Sequence, residues 1–216
     1  MKILALEFSS PQRSVAVLNP QTGTIAEAVD TNHGHTTKLF GLIEDVLRQA
    51  RLPREEIEVV AVGLGPGSYT GIRAAIALAQ GWQLAHGVKL YGVSSAECLA
   101  NEESVEGLTK FNVVIDAQRG EFYLATYETL AGGKLRPMFP LRIVVPDIIK
   151  ERERAGEVVI GPEATKWFPK GRQVFPRAAT IAQLTTGTDL IPGEKLEPIY
   201  LRETAFVKTS GHLVRS

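Results

Sequence analysis

The segment Gly65-Pro66-Gly67-Ser68-Tyr69-Thr70-Gly71-Ile72-Arg73 is the densest chemical signal in the chain. Glycine permits positive φ and lets a second backbone or a ligand approach closely. Ser68 or Thr70 can cap the helix that follows, and the free N–H groups of a helix start favour an anion. The segment is not a Walker loop, because no Lys-Ser or Lys-Thr follows the glycines, and it lacks the GxGxxG spacing. A tight strand-to-helix turn is therefore at least as good a reading as a phosphate cradle. Arg73, in the first helical turn, either meets a carboxylate or phosphate or forms the solvated edge of the helix.

Other chemistry is constrained by what the chain contains. Its histidines are His33, His35, His86 and His212. His33 and His35 stand two apart just before a helical pattern, where a loop or cap role is favoured over chelation. No pair has the four-residue spacing that sets two imidazoles on one helix face, so no metalloprotease site can be assembled. Ser9, Ser10, Ser68, Ser94 and Ser95 read as caps or turn residues, with no positioned base for a serine hydrolase. Cys98 is the sole cysteine, which excludes an internal disulfide and a cysteine zinc cluster and suggests a reducing compartment. With 24 Lys+Arg against 24 Asp+Glu, the net charge of zero argues against gripping nucleic acid by bulk electrostatics. No apolar run approaches the roughly 18 residues that span a bilayer, and the apolar start is too short for a signal peptide, so a cytoplasmic protein is expected.

The elements that must position these residues follow a repeated order. The 216 residues suggest one large or two small domains. Residues 3–6, 14–18 and 24–29 read as strands close enough to form an antiparallel meander. A helical pattern at 39–50 comes next, then a strand at 57–62, a helix at 72–86, a strand at 89–93 and a helix at 96–100. Strands at 111–115 and 121–127, an extended segment reaching 145, a helix at 147–154 and a strand at 158–160 repeat that order. The repeat, of about 110 residues, is one of topology and not of sequence. It predicts an α/β protein of two ribonuclease-H-like domains in an actin-like (ASKHA) arrangement, residues 1–102 and 103–216, with the last segment able to pack back on the first domain. Two unrelated α/β lobes are the alternative.

In that architecture a nucleotide lies between the units, held by the first hairpin turn of each. Here those turns carry Glu7, Ser9 and Ser10, and Asp116, Arg119 and Gly120. Phosphates and a magnesium-bound water require converging backbone N–H groups and a carboxylate. Pro11 removes a donor from the first turn, and Arg119 can fill the place of a phosphate. Gly161-Pro162-Glu163 is too bulky and acidic for a glycine-rich adenosine loop. The turns are expected to keep their geometry without useful affinity, and a structural role is favoured for residues 116–120.

The helix at 72–86 is apolar over roughly 280° of its circumference, against a stripe of ~100° on a one-sided surface helix. Arg73 and Gln80 mark its narrow polar strip. Gly81 in its interior costs about 1 kcal/mol relative to alanine, which close approach of another backbone would offset. An interface with a partner protein is favoured over complete burial. The expected contact residues are Leu39, Leu42, Ile43 and Val46 on the first helix, and Arg73, Ile76, Ala77, Leu78 and Gln80 on the second.

The combination LALEFSS, GHTTKLFGLIEDVL, VGLGPGSYTGIRAAIALAQGW, VSSAECLA, DAQRGEFY and PIYLR, in this order, resembles the TsaB (YeaZ) family. The resemblance implies a non-catalytic member of the actin-like superfamily that helps make threonylcarbamoyladenosine in tRNA. It further implies a heterodimer with a catalytic relative, TsaD, docking of an ATPase, TsaE, on that pair, and homodimers, with tRNA reached through the complex. The family's dimer contact uses two N-terminal helices, here residues 36–50 and 70–86. No cofactor is assigned, and weak nucleotide binding at a partner interface is left open. A lone actin-like ATPase or kinase, or a glycoprotease-like peptidase, are the rival functions.

Overall fold

A computed structural model describes residues 1–31, 39–102, 108–185 and 195–201. Strands β1 (Ile3–Glu7), β2 (Arg13–Asn19) and β3 (Thr24–Asp30) form an antiparallel meander. β4 (Val59–Gly63) and β5 (Lys89–Val93) add in parallel, giving the sheet order β3-β2-β1-β4-β5. The second sheet contains β6 (Lys110–Asp116), β7 (Phe122–Thr129), β8 (Leu135–Val144), β9 (Val158–Gly161) and β10 (Arg172–Gln173). Its order β8-β7-β6-β9-β10 is the first order repeated. Each sheet is thus a ribonuclease-H-like layer, and the chain is a duplicated α/β protein of the actin-like kind.

The central strands β1 and β4 are buried on both faces, so their sequences read as apolar runs rather than alternations. One face of the first sheet, through Leu4, Leu6, Val60 and Val62, packs on α1 (Leu39–Ala50) and α2 (Tyr69–His86). Its other face, through Ile3, Ala5, Val59 and Ala61, is covered by Ala178, Ile181 and Ala182 of α6 (Ala178–Leu184). That helix comes from the second half of the chain. In return, α3 (Ser95–Glu102), from the first half, lays Ala96, Leu99 and Ala100 against Phe111, Val113 and Tyr127 of the second sheet. The far side of that sheet is closed by α4 (Pro146–Arg154) and α5 (Ala164–Trp167) through Ile149, Ala164 and Phe168. Each half therefore lends its last described helix to the other sheet, and α3 and α6 touch between them.

Residues 195–201 return to the first unit. Leu196 is buried in the core beneath α1 and α2, and the N–H of Ile199 donates to the Leu64 carbonyl at 2.8 Å.

Candidate functional site

A cleft of about 630 Å³ lies between the units, bordered by Ser9, Ser10, Ser68, Asp116 and Glu163 among others. The glycine-rich segment forms one wall, and several of its backbone groups bond to their own chain. Gly65 N–H donates to Ser95 Oγ at 3.1 Å, and Ser95 N–H donates to the Gly65 carbonyl at 2.7 Å. Ser68 N–H donates to the Ser9 carbonyl at 2.6 Å, while Ser68 Oγ caps α2 by accepting from Gly71 N–H at 3.3 Å. A Cβ on Gly67 would overlap the Ser9 carbonyl oxygen, and one on Gly71 would overlap that of Phe8. These glycines exist so that the start of α2 can press on the backbone following β1. The segment is a tight strand-to-helix turn in which the N–H groups of Gly65, Ser68 and Gly71 are engaged within the chain.

Glu7 does not border the cleft. Its side chain is fully buried, accepting from Ser9 N–H at 2.6 Å and from Ser95 Oγ–H at 2.9 Å. Burial pushes its carboxyl above the usual carboxylate range, although the hydrogen bonds from Ser9 and Ser95 pull the other way. Glu7, expected in the first hairpin turn as part of a vestigial ligand site, is instead the buried last residue of β1, and its carboxyl joins β1, the glycine-rich turn and α3. Ser95, read as a cap from sequence, is that joint's second member.

Ser9 and Ser10 do border the cleft, although both are largely enclosed. In the second turn Asp116 Oδ1 accepts from Gln118 N–H at 2.7 Å, and Gln118, Arg119 and Gly120 all have positive φ. Arg119 and Gly120 are exposed and are not among the cleft's lining residues, so neither occupies a phosphate position. Glu163 is a cleft residue whose carboxyl is raised by burial and by the nearby Asp116 charge. Gly161 sits so close to the Val114 carbonyl that a side chain would overlap it, which fits packing of β9 on β6. His33 and His35 lie outside the described residues. Among the described residues no group of three or more His, Cys, Asp or Glu is placed to hold a metal, and no helix is long and apolar enough to cross a membrane.

A second depression, of about 550 Å³, runs between α1 and α2 and is mainly apolar. Leu39, Ile43, Ala77 and Leu78, four of the expected contact residues, line it. Ile76 and Val46, expected there, instead face the first sheet at 7% and 0% exposure. Leu42 packs against the same core. The residues that protrude most are Phe40, 74% exposed, and Leu84, 89% exposed, neither of them in the expected contact set. A Cβ placed on Gly81 would meet no atom within 4 Å, so the open surface at this glycine is part of the depression. Arg73 lies over the Tyr69 ring at 4.2 Å from its centroid, at the exposed N-terminal end of α2. Gln80 is half-buried.

A family model described as "TsaD: tRNA N6-adenosine threonylcarbamoyltransferase" matches residues 12–168. The tRNA threonylcarbamoyladenosine biosynthesis protein TsaB of Escherichia coli (strain K12) is 28% identical over 94% of this chain and 95% of its own length. The chain belongs to the TsaB (YeaZ) family. TsaB of Bacillus subtilis (strain 168) is 29% identical, over 71% of this chain and 68% of its own. A Pseudomonas aeruginosa protein described as similar to peptidase YEAZ has a TM-score of 0.77 at 25% identity, covering 93% of this chain and 99% of that one. YeaZ from the same organism shares the fold, with a TM-score of 0.75 at 24% identity over 92% and 100% of the two chains. The TsaB membership gives this chain a role in tRNA modification.

Proposed function

We propose that this chain is the non-catalytic subunit of a tRNA-modifying assembly, and that the groove between α1 and α2 docks a TsaD-type threonylcarbamoyltransferase. The observation that carries the reading is the apolar surface left uncovered there by Phe40, Ala77, Gly81 and Ala85, which Leu84, exposed in the last turn of α2, extends beyond the groove. Contiguous apolar patches of this kind mark contact surfaces on soluble proteins. Small residues on α2 let a partner helix approach closely enough for ridges to enter grooves. In a chain read as cytoplasmic, the same surface would serve a homodimer when the partner is absent. A TsaE-type ATPase would dock on the heterodimer, and tRNA would be reached through it.

The non-catalytic part of the reading is supported by where the polar groups are engaged. The Glu7 carboxyl holds Ser9 and Ser95, and the donors of Gly65 and Ser68 serve Ser95 and Ser9. The cleft between the units favours a second reading, a lone ATPase or kinase. Reconstitution separates the two. With TsaD-type subunit, ATPase partner and tRNA, modification should require this chain and should fall to the level without it for Phe40→Glu. Magnesium-dependent ATP turnover by this chain alone, unaffected by Phe40→Glu, would favour the lone enzyme.

A further inference from the structure

The groove is lined by thirteen residues, whereas an interface of standard size takes about 20–30 on each side. The surface beside it can supply the remainder. Counting at 100° per residue, Tyr69, Arg73, Ala77, Gln80 and Leu84 fall within about 80° of one another along α2. Arg73 and Ala77 on this ridge are exposed, and Tyr69 is 54% exposed. Beyond the N-terminus of α2 the ridge continues into residues from the other end of the chain. The Tyr200 ring stacks on Tyr69 with centroids 5.4 Å apart and an interplanar angle of 26°. Tyr200 stays 40% exposed and Leu201 42% exposed.

We propose that the stack of Tyr200, Tyr69 and Arg73 is a second anchor for the TsaD-type subunit, so that the docking surface joins α1 and α2 to residues 195–201. This rests on the reading of the groove given above. Tyrosine and arginine are enriched among residues that dominate interface energy, because they bring large area with few rotatable bonds or a planar, weakly hydrated charge. The stack already fixes two rings and the guanidinium, which lowers the ordering cost on binding. Leu196, buried, and the hydrogen bond from Ile199 N–H to the Leu64 carbonyl hold the segment in place, so the stack is carried on a fixed support.

Hydroxyl-radical labelling of the full chain, free and saturated with TsaD-type subunit, tests this without altering any residue. Labelling of Tyr69, Tyr200 and Phe40, the exposed ring that lines the groove, should all drop in the complex. Protection of Phe40 with both tyrosines unchanged would overturn the second anchor and leave the groove reading intact. Unchanged labelling of Phe40 would remove the groove reading, and the anchor with it. Affinity gives an independent check: Tyr200→Ala should weaken the complex by about tenfold or more, whereas Tyr200→Phe, which keeps the stack, should bind as the parent does. Equal affinity for all three chains would contradict the proposal.

Discussion

Ser95 Oγ–H donates to Glu7 Oε2 at 2.9 Å across 88 positions of sequence, locking the first turn of α3 to the end of β1. The Cβ that Gly63 lacks would overlap that same carboxylate, so three elements close around one buried acid. A family signature that looks like ligand chemistry is here a way of packing backbone on backbone.

The first prediction concerns that acid. Burial raises the Glu7 carboxyl above its ordinary 4.5, so over a window starting there the folded protein keeps a proton that the unfolded chain has lost. The stabilising contribution is complete below the unfolded value and is lost as pH rises through the folded one. Glu7→Gln cannot ionise and should gain stability relative to the parent as pH increases from about 4 to 7, read by paired thermal melts. Parallel melting curves would contradict it. Glu7→Ala strands the Ser9 N–H and the Ser95 hydroxyl and should cost about 1–3 kcal/mol for each at neutral pH.

Two glycines of α2 should respond in opposite senses. Gly71→Ala drives a methyl into the Phe8 carbonyl and should cost about 1–3 kcal/mol. Gly81→Ala meets nothing of its own chain and should gain up to about 1 kcal/mol from helix propensity. Denaturant titration of the isolated protein reads both.

Asp116→Asn keeps an oxygen for the hydrogen bond from Gln118 N–H. It should leave both stability and tRNA modification by the reconstituted complex close to the parent. A loss as large as omitting the subunit would show that the cleft carries chemistry.

Much of the fold is legible in the chain, for identifiable reasons. Strands buried on both faces write themselves as short apolar runs such as those of β1 and β4, and the meander followed by helix and strand recurs clearly enough to give the duplication. The exchange of α3 and α6 is not legible, because a short apolar helix such as Ala178–Leu184 records that it is covered but not by which sheet. At α2 the wheel correctly shows too much apolar surface for one covered side. It cannot tell which residues the sheet takes, so it sets Ile76 outward and passes over Leu84, although the two lie 80° apart at 100° per residue. The Glu7–Ser95 joint is hidden because sequence alone does not bring distant polar residues together, and each has a plausible local role.

The most direct measurement is the affinity of the purified chain for a TsaD-type subunit by titration calorimetry, with Leu84→Lys as the variant. Leu84 is 89% exposed, and a lysine in the last turn suits the helix dipole, so the fold should persist with a stability change within about 0.5 kcal/mol. Ile76→Glu, which buries a charge in the first sheet's core, should instead unfold the protein and serves as the contrast. Leu84→Lys should stay folded and lose binding by about a hundredfold or more. A folded Leu84→Lys protein that binds as tightly as the parent would contradict it.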